Sequence, residues 1–91
     1  MVTAIVLMNI KRGQVPQVAG QLAEMPGISE VYSVGGRFDL VAVIRVASNE
    51  AMAALVTDKL AKLDSIMNTE TLLAFQTFSR HDLEAMFAIG T

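Results

Sequence analysis

The chain has no cysteine, one histidine, two prolines and only 18% charged residues, and each shortage removes a class of chemistry. Without cysteine there is no disulfide framework, no thiolate nucleophile and no Cys-based metal site. A metal site needs several ligands at helix or hairpin spacing, and a single histidine offers little, so no metal or other cofactor is expected. That histidine, His81, stands beside Asp82 near the end of the chain. With no nucleophile motif beside it, it reads as a solvated or helix-capping residue rather than a general base. Seven basic residues against nine acidic ones give a net charge of -2, which is no electrostatic footprint for nucleic acid. Long apolar runs are missing too. Met1 to Ile10 is apolar but interrupted by Thr3 and Asn9, lacks a leading basic region and is far too short to cross a bilayer. A cytoplasmic protein with no membrane partner is the expectation.

What the chain does have is apolar surface. At 91 residues it is one domain, yet 53% of it is apolar, above the roughly 45–50% of ordinary soluble domains. A small domain has little interior, so the surplus suggests burial against another copy. The six methionines read as core filler. Apolar runs on either side of Gly35-Gly36 mark a hairpin, because glycine reaches positive φ without a Cβ penalty. Gly35-Gly36 is no phosphate loop, since a strand and not a helix follows it. Beyond it, Leu40 to Val46 carries Leu40, Ala42, Ile44 and Val46 on one side and Val41, Val43 and Arg45 on the other. Both faces of that strand are therefore covered, and Val2 to Ile10 reads the same way.

Between these strands, Val15, Val18, Leu22 and Met25 recur at helical spacing, with Pro16 in the first turn and Pro26-Gly27 as the stop. Gly20 is expected to permit close packing. Ile28 to Val34 is the strand entering the hairpin. Ser48 is the expected N-cap of a second helix running to about Lys62, with Met52, Leu55, Val56, Leu60 and Leu63 inward. Thr69 to Phe78 reads as a fourth strand. Residues 79–91 read as a short tail with a helical turn.

Leu22-Ala23-Glu24-Met25-Pro26-Gly27-Ile28 matches Leu60-Ala61-Lys62-Leu63-Asp64-Ser65-Ile66, and Ala4 and Val18 meet Ala42 and Val56 at the same offset. The chain is thus two β-α-β halves, and β-α-β-β-α-β is the ferredoxin-like α+β arrangement, an antiparallel sheet with two helices on one face. The other face would still carry residues such as Val41 and Val43. A two-fold dimer packed sheet against sheet buries them.

Two polar features stand out. In Gly36-Arg37-Phe38-Asp39, Asp39 either accepts hydrogen bonds from turn backbone or meets a cation such as an amino-acid ammonium. In Thr69-Glu70-Thr71, the two threonines either simply favour strand geometry or present their hydroxyls side by side to a ligand.

Met25-Pro26-Gly27-Ile28, Gly36-Arg37-Phe38-Asp39-Leu40-Val41, Leu60-Ala61-Lys62-Leu63 and Thr69-Glu70-Thr71 together resemble the effector-binding domain of the leucine-responsive regulatory protein/AsnC family, the regulation-of-amino-acid-metabolism domain. The family's usual Pro-Gly before the last strand is Asp64-Ser65 here. The family's helix-turn-helix is not present in residues 1–91, so the resemblance is to a single, stand-alone effector domain. It implies a homodimer formed through the sheets that assembles further, into an octamer or decamer, with a small effector, usually an amino acid, in the cleft between dimers. By motif, Gly36 would offer backbone to the ligand and Asp39 would bind or position it. Thr69, Thr71, Leu72, Leu73 and Ala74 would line the cleft, with Asn49 a further candidate. The function implied is amino-acid sensing through oligomeric state, possible partners including a DNA-binding family member. Two other readings are a small dimeric ferredoxin-like enzyme of isomerase or oxygenase type, with His81 and Tyr32 as its polar candidates, and a ligand-free oligomerisation module.

Overall fold

Val2–Ile10 (β1) and Leu40–Val46 (β3), apolar on both faces, are the two central strands. The computed structural model describes residues 1–80. With β2 (Ile28–Ser33) and β4 (Ile66–Ala74) the sheet order is β2-β3-β1-β4, every pair antiparallel. The helix α1 (Val15–Ala23) joins β1 to β2, and a second helix opening at α2 (Asn49–Ala53) joins β3 to β4. This is the ferredoxin-like fold, with both halves of the repeat in place.

The helix-facing side of the sheet is the core. Ala4, Val6, Met8, Leu40, Ala42 and Ile44 are fully buried there, closed over by Val18 and Leu22 of α1 and by Met52, Leu55 and Leu60 of the second helix. Val56 and Leu63, expected inward, are only partly buried. Ser48 caps α2, its hydroxyl accepting from the Ala51 N–H at 3.1 Å. After Ala53 the helix changes character: Ala54–Lys59 is a π-helix, with the Leu60 N–H donating to the Leu55 carbonyl, and Leu60–Lys62 is a 3₁₀ turn. Regular helical spacing does not foresee this stretch.

Two expectations need correcting. The fourth strand is Ile66–Ala74, not Thr69 to Phe78, because its partner β1 sets its length: Thr3 pairs with Ala74 and Ile10 with Ile66. Past Ala74 the pairing with β1 stops, one residue short of that strand's start, and Phe75 is 98% exposed. Gly20 does not serve close packing, since a Cβ there would meet nothing within 4 Å. The expected helical turn in the tail lies, from His81 onward, outside the described residues. None of the described helices is long and apolar enough to cross a membrane.

Candidate functional site

The hairpin between β2 and β3 is pinned to the end of β1 by both backbone and side chains. Gly36 has φ of 115°, a conformation that other residues rarely adopt, and it turns the chain. The Val34 N–H donates to the Asp39 carbonyl at 3.0 Å, and the Asp39 N–H donates across to the Met8 carbonyl at 2.9 Å. The Asp39 carboxylate then accepts from the Ile10 N–H through Oδ2 at 2.8 Å. Asn9 completes the clamp, its side-chain amide donating to the Arg37 carbonyl at 2.7 Å. Asp39 therefore has a backbone partner at the end of β1, outside the turn itself. Its other carboxylate oxygen makes no hydrogen bond among the described residues. Asn9 is a contributor that the sequence reading missed; its signal was an amide at the far end of an otherwise apolar strand.

The remaining candidates fall in three places. Thr69 pairs with Met8, so it lies level with Leu40 and next to Asp39 in height, but on the far side of β1. Two strand spacings, about 9.6 Å, separate the two strands. Thr69, Thr71 and Leu73 lie on the helix side of β4 and Leu72 and Ala74 on the open side, and all but Ala74 are exposed. A cavity of about 210 Å³ lies between the end of the second helix and the start of β4, with Val56, Leu60 and Ile66 on its walls and Asn68 and Thr69 at its edge. Asn49 sits at the start of α2, after β3 has ended, at the opposite end of the sheet from Asp39. One chain thus brings Gly36 and Asp39 together, and sets the threonines and Asn49 apart from them.

The open face of the sheet is apolar over its middle. Ile5, Leu7, Val41, Val43 and Leu72 share it, with Ile5 36% and Leu72 48% exposed. At the β2 edge it carries a polar cluster. The Tyr32 hydroxyl donates to Glu30, and Arg45 approaches the same carboxylate at 3.7 Å. The hydrogen bond to Glu30, and then that carboxylate's charge, raise the Tyr32 phenol above its ordinary value of 10.0, with Arg45 opposing. Tyr32 is thus engaged on an open sheet face, not in a pocket between sheet and helices, and His81 is outside the described residues. Among the described residues no group of three or more His, Asp or Glu side chains is placed to hold a metal ion.

An antiparallel sheet with helices on one side, an apolar open side and a hairpin clamped over β1 defines a small ferredoxin-like α+β domain. Residues 3–83 match the Lrp/AsnC ligand binding domain, and the chain belongs to that family. A helix-turn-helix-type transcriptional regulator of Pyrococcus abyssi, itself uncharacterised, is 36% identical over 61 residues, covering 67% of this chain and 41% of that protein. The chain thus spans about two fifths of that regulator's length. The crystal structure of TTHA0845 from Thermus thermophilus superposes with a TM-score of 0.82 at 40% identity, over 88% of this chain and all of that one. A transcriptional regulator of Neisseria meningitidis solved as an L-Met complex shares the fold, with a TM-score of 0.77 at 12% identity over 87% of this chain and 53% of that one.

Proposed function

We propose that this domain senses a small molecule, an amino acid, at the hairpin end of the sheet and acts by changing its own oligomeric state. The observation that carries the reading is the half-committed Asp39 carboxylate. One oxygen is spent on Ile10, which fixes the group in place, and the other is left to receive an ammonium beside the exposed Gly36 backbone. The family membership supports a ligand-binding role, and the L-methionine bound by the Neisseria regulator supports an amino acid as its class. Thr69, Thr71, Leu72, Leu73 and Ala74, held away from Asp39 on one chain, would complete the cleft from a second copy, and Asn49 would do so only from another chain. The apolar open face supports a sheet-to-sheet dimer as the unit of assembly, with an octamer or decamer built from it. The net charge of -2 over these residues supports an effect on DNA exerted through a DNA-binding family member assembled with them.

The test is thermal unfolding with light scattering across the twenty amino acids. An effector at about 100 times its dissociation constant adds roughly 2.7 kcal/mol, a rise in melting temperature of about 10–20 °C for a domain of this size. Asp39→Asn should abolish that rise while the unliganded domain stays folded. If no amino acid moves either melting temperature or particle mass, the sensor reading fails. The rival favoured by the apolar open face, a ligand-free oligomerisation module, then takes its place.

A further inference from the structure

We infer that a second small-molecule site lies at the other end of the sheet, in the groove where the turn after α1, the end of β3 and the second helix meet, and that it takes an aliphatic carboxylate without an ammonium group. The groove has a volume of about 380 Å³, the lower range of small-ligand sites. Its apolar lining includes Val46 and Leu55. Gly27, at φ of 96°, lets the turn pack directly on this apolar wall: a Cβ there would stand 2.9 Å from Val46 Cγ1 and 3.3 Å from Leu55 Cδ2. Ala51 and Ala54 add small side chains to the lining.

The polar inventory of the groove selects the ligand. Arg45 and Lys59 both border it, but the Arg45 guanidinium is turned to Glu30 on the open face of the sheet, which leaves Lys59 as the groove's own charge, and no side-chain hydroxyl, amide or carboxylate lines it. Arg45 is loosely shared with Glu30 at 3.7 Å, whereas Lys59 is exposed and forms no ion pair among the described residues. A sugar or nucleoside would find no neutral hydrogen-bonding side chain there, and an ammonium would meet like charge. A carboxylate reaching Lys59, with an alkyl body over Val46 and Leu55, satisfies both halves of the lining. The π-helix is a second, independent pointer. Ala54, Leu55 and Lys59 all belong to it, and such insertions concentrate at functional sites. Leu55 lines this groove and the next residue, Val56, lines the cavity beside Thr69. This site uses no residue of the hairpin and does not depend on the sensor reading.

The experiment is a nitrogen-15 NMR titration of the full chain with isocaproate, isohexylamine and leucine, three molecules sharing one aliphatic body. Isocaproate should shift the amides of Ala47, Ala51, Ala54 and Leu55 saturably. Isohexylamine should leave them unmoved, and leucine should bind there more weakly. Lys59→Glu should weaken isocaproate about tenfold or more, equivalent to at least ~1.4 kcal/mol. Ala54→Leu should block it by filling the groove. Both positions are exposed, and unchanged remote amides will show that each variant is folded. The inference is overturned if isocaproate produces no saturable shift, if isohexylamine or leucine binds the groove as well as isocaproate does, or if the shifts fall on Gly36 to Asp39 instead.

Discussion

Replacing Asp39 with alanine separates what this carboxylate does for the fold from what it does for a ligand. Its Oδ2 is the acceptor for the Ile10 N–H, in a partly buried setting at the end of a central strand. Alanine removes the acceptor and leaves the donor without a protein partner, which costs roughly 1–3 kcal/mol. The hairpin's backbone bonds, Val34 to Asp39 and Asp39 to Met8, are untouched by the change. The domain should therefore weaken without losing its topology. For a domain of this length that is a fall in melting temperature of about 5–20 °C. Asparagine keeps an oxygen in the same place and loses only the charge assistance, so it should fall between the wild type and alanine. Urea unfolding followed by circular dichroism measures both, and an unchanged m-value would show that the unfolded states are alike. If Asp39→Ala lies within about 0.5 kcal/mol of wild type, the clamp is not what holds the hairpin, and the account of a preorganised carboxylate is wrong.

Further consequences follow from the same contacts. Gly20→Ala should stabilise by about 0.5–1 kcal/mol, because the helix gains and nothing lies within 4 Å of the new methyl. Gly27→Ala, at φ of 96° and against Val46, should destabilise by roughly 1–3 kcal/mol, and parallel melts check the pair. Tyr32 is the chain's one tyrosine, so its phenolate absorbance reports a single group. Its midpoint should exceed 10.0 and move down toward it in Glu30→Gln. Because the folded-state value is the raised one, the contact's stabilisation is fully present below pH 10.0 and is lost as pH climbs through the folded value. Placing charge on the open face, as in Ile5→Lys with Leu72→Lys, should lower the particle mass in light scattering and leave the far-ultraviolet spectrum native.

The sheet was legible because its pattern was doubly written. Leu40 to Val46 and Val2 to Ile10 are apolar on both faces, and the repeat of Leu22-Ala23 in Leu60-Ala61 fixed their places as the two centres. The end of β4 was not legible, since Thr77 and Phe78 have strand character, whereas the start of β1 leaves almost nothing for residues past Ala74 to pair with. Nor was the π-helix, because Met52, Val56 and Leu60 keep an ordinary four-residue spacing that reads as a regular helix, although the five-residue step from Leu55 to Leu60 is the one the π turn uses. At the hairpin, the sequence singled out Gly36 and Asp39, but a side chain's bond to Ile10 is a tertiary fact. Asn9 escaped for the same reason: its partner, the carbonyl of Arg37, is brought near only when the hairpin folds over β1.

The separation of the candidate groups has a thermodynamic consequence under the sensor reading. Asp39 and Thr69 flank β1 from opposite sides, and Asn49 lies at the far end, so an effector touching more than one of them draws on more than one chain. Its binding energy is then available only in the assembled state, and it shifts the assembly by its differential affinity and no more. Reciprocity makes this a strict relation: if the ligand tightens the oligomer, raising the protein concentration must tighten the ligand by the same coupling. A ligand confined to one hairpin would show no such dependence. The affinity of an amino acid measured across protein concentration therefore distinguishes a cleft shared between chains from a pocket owned by one.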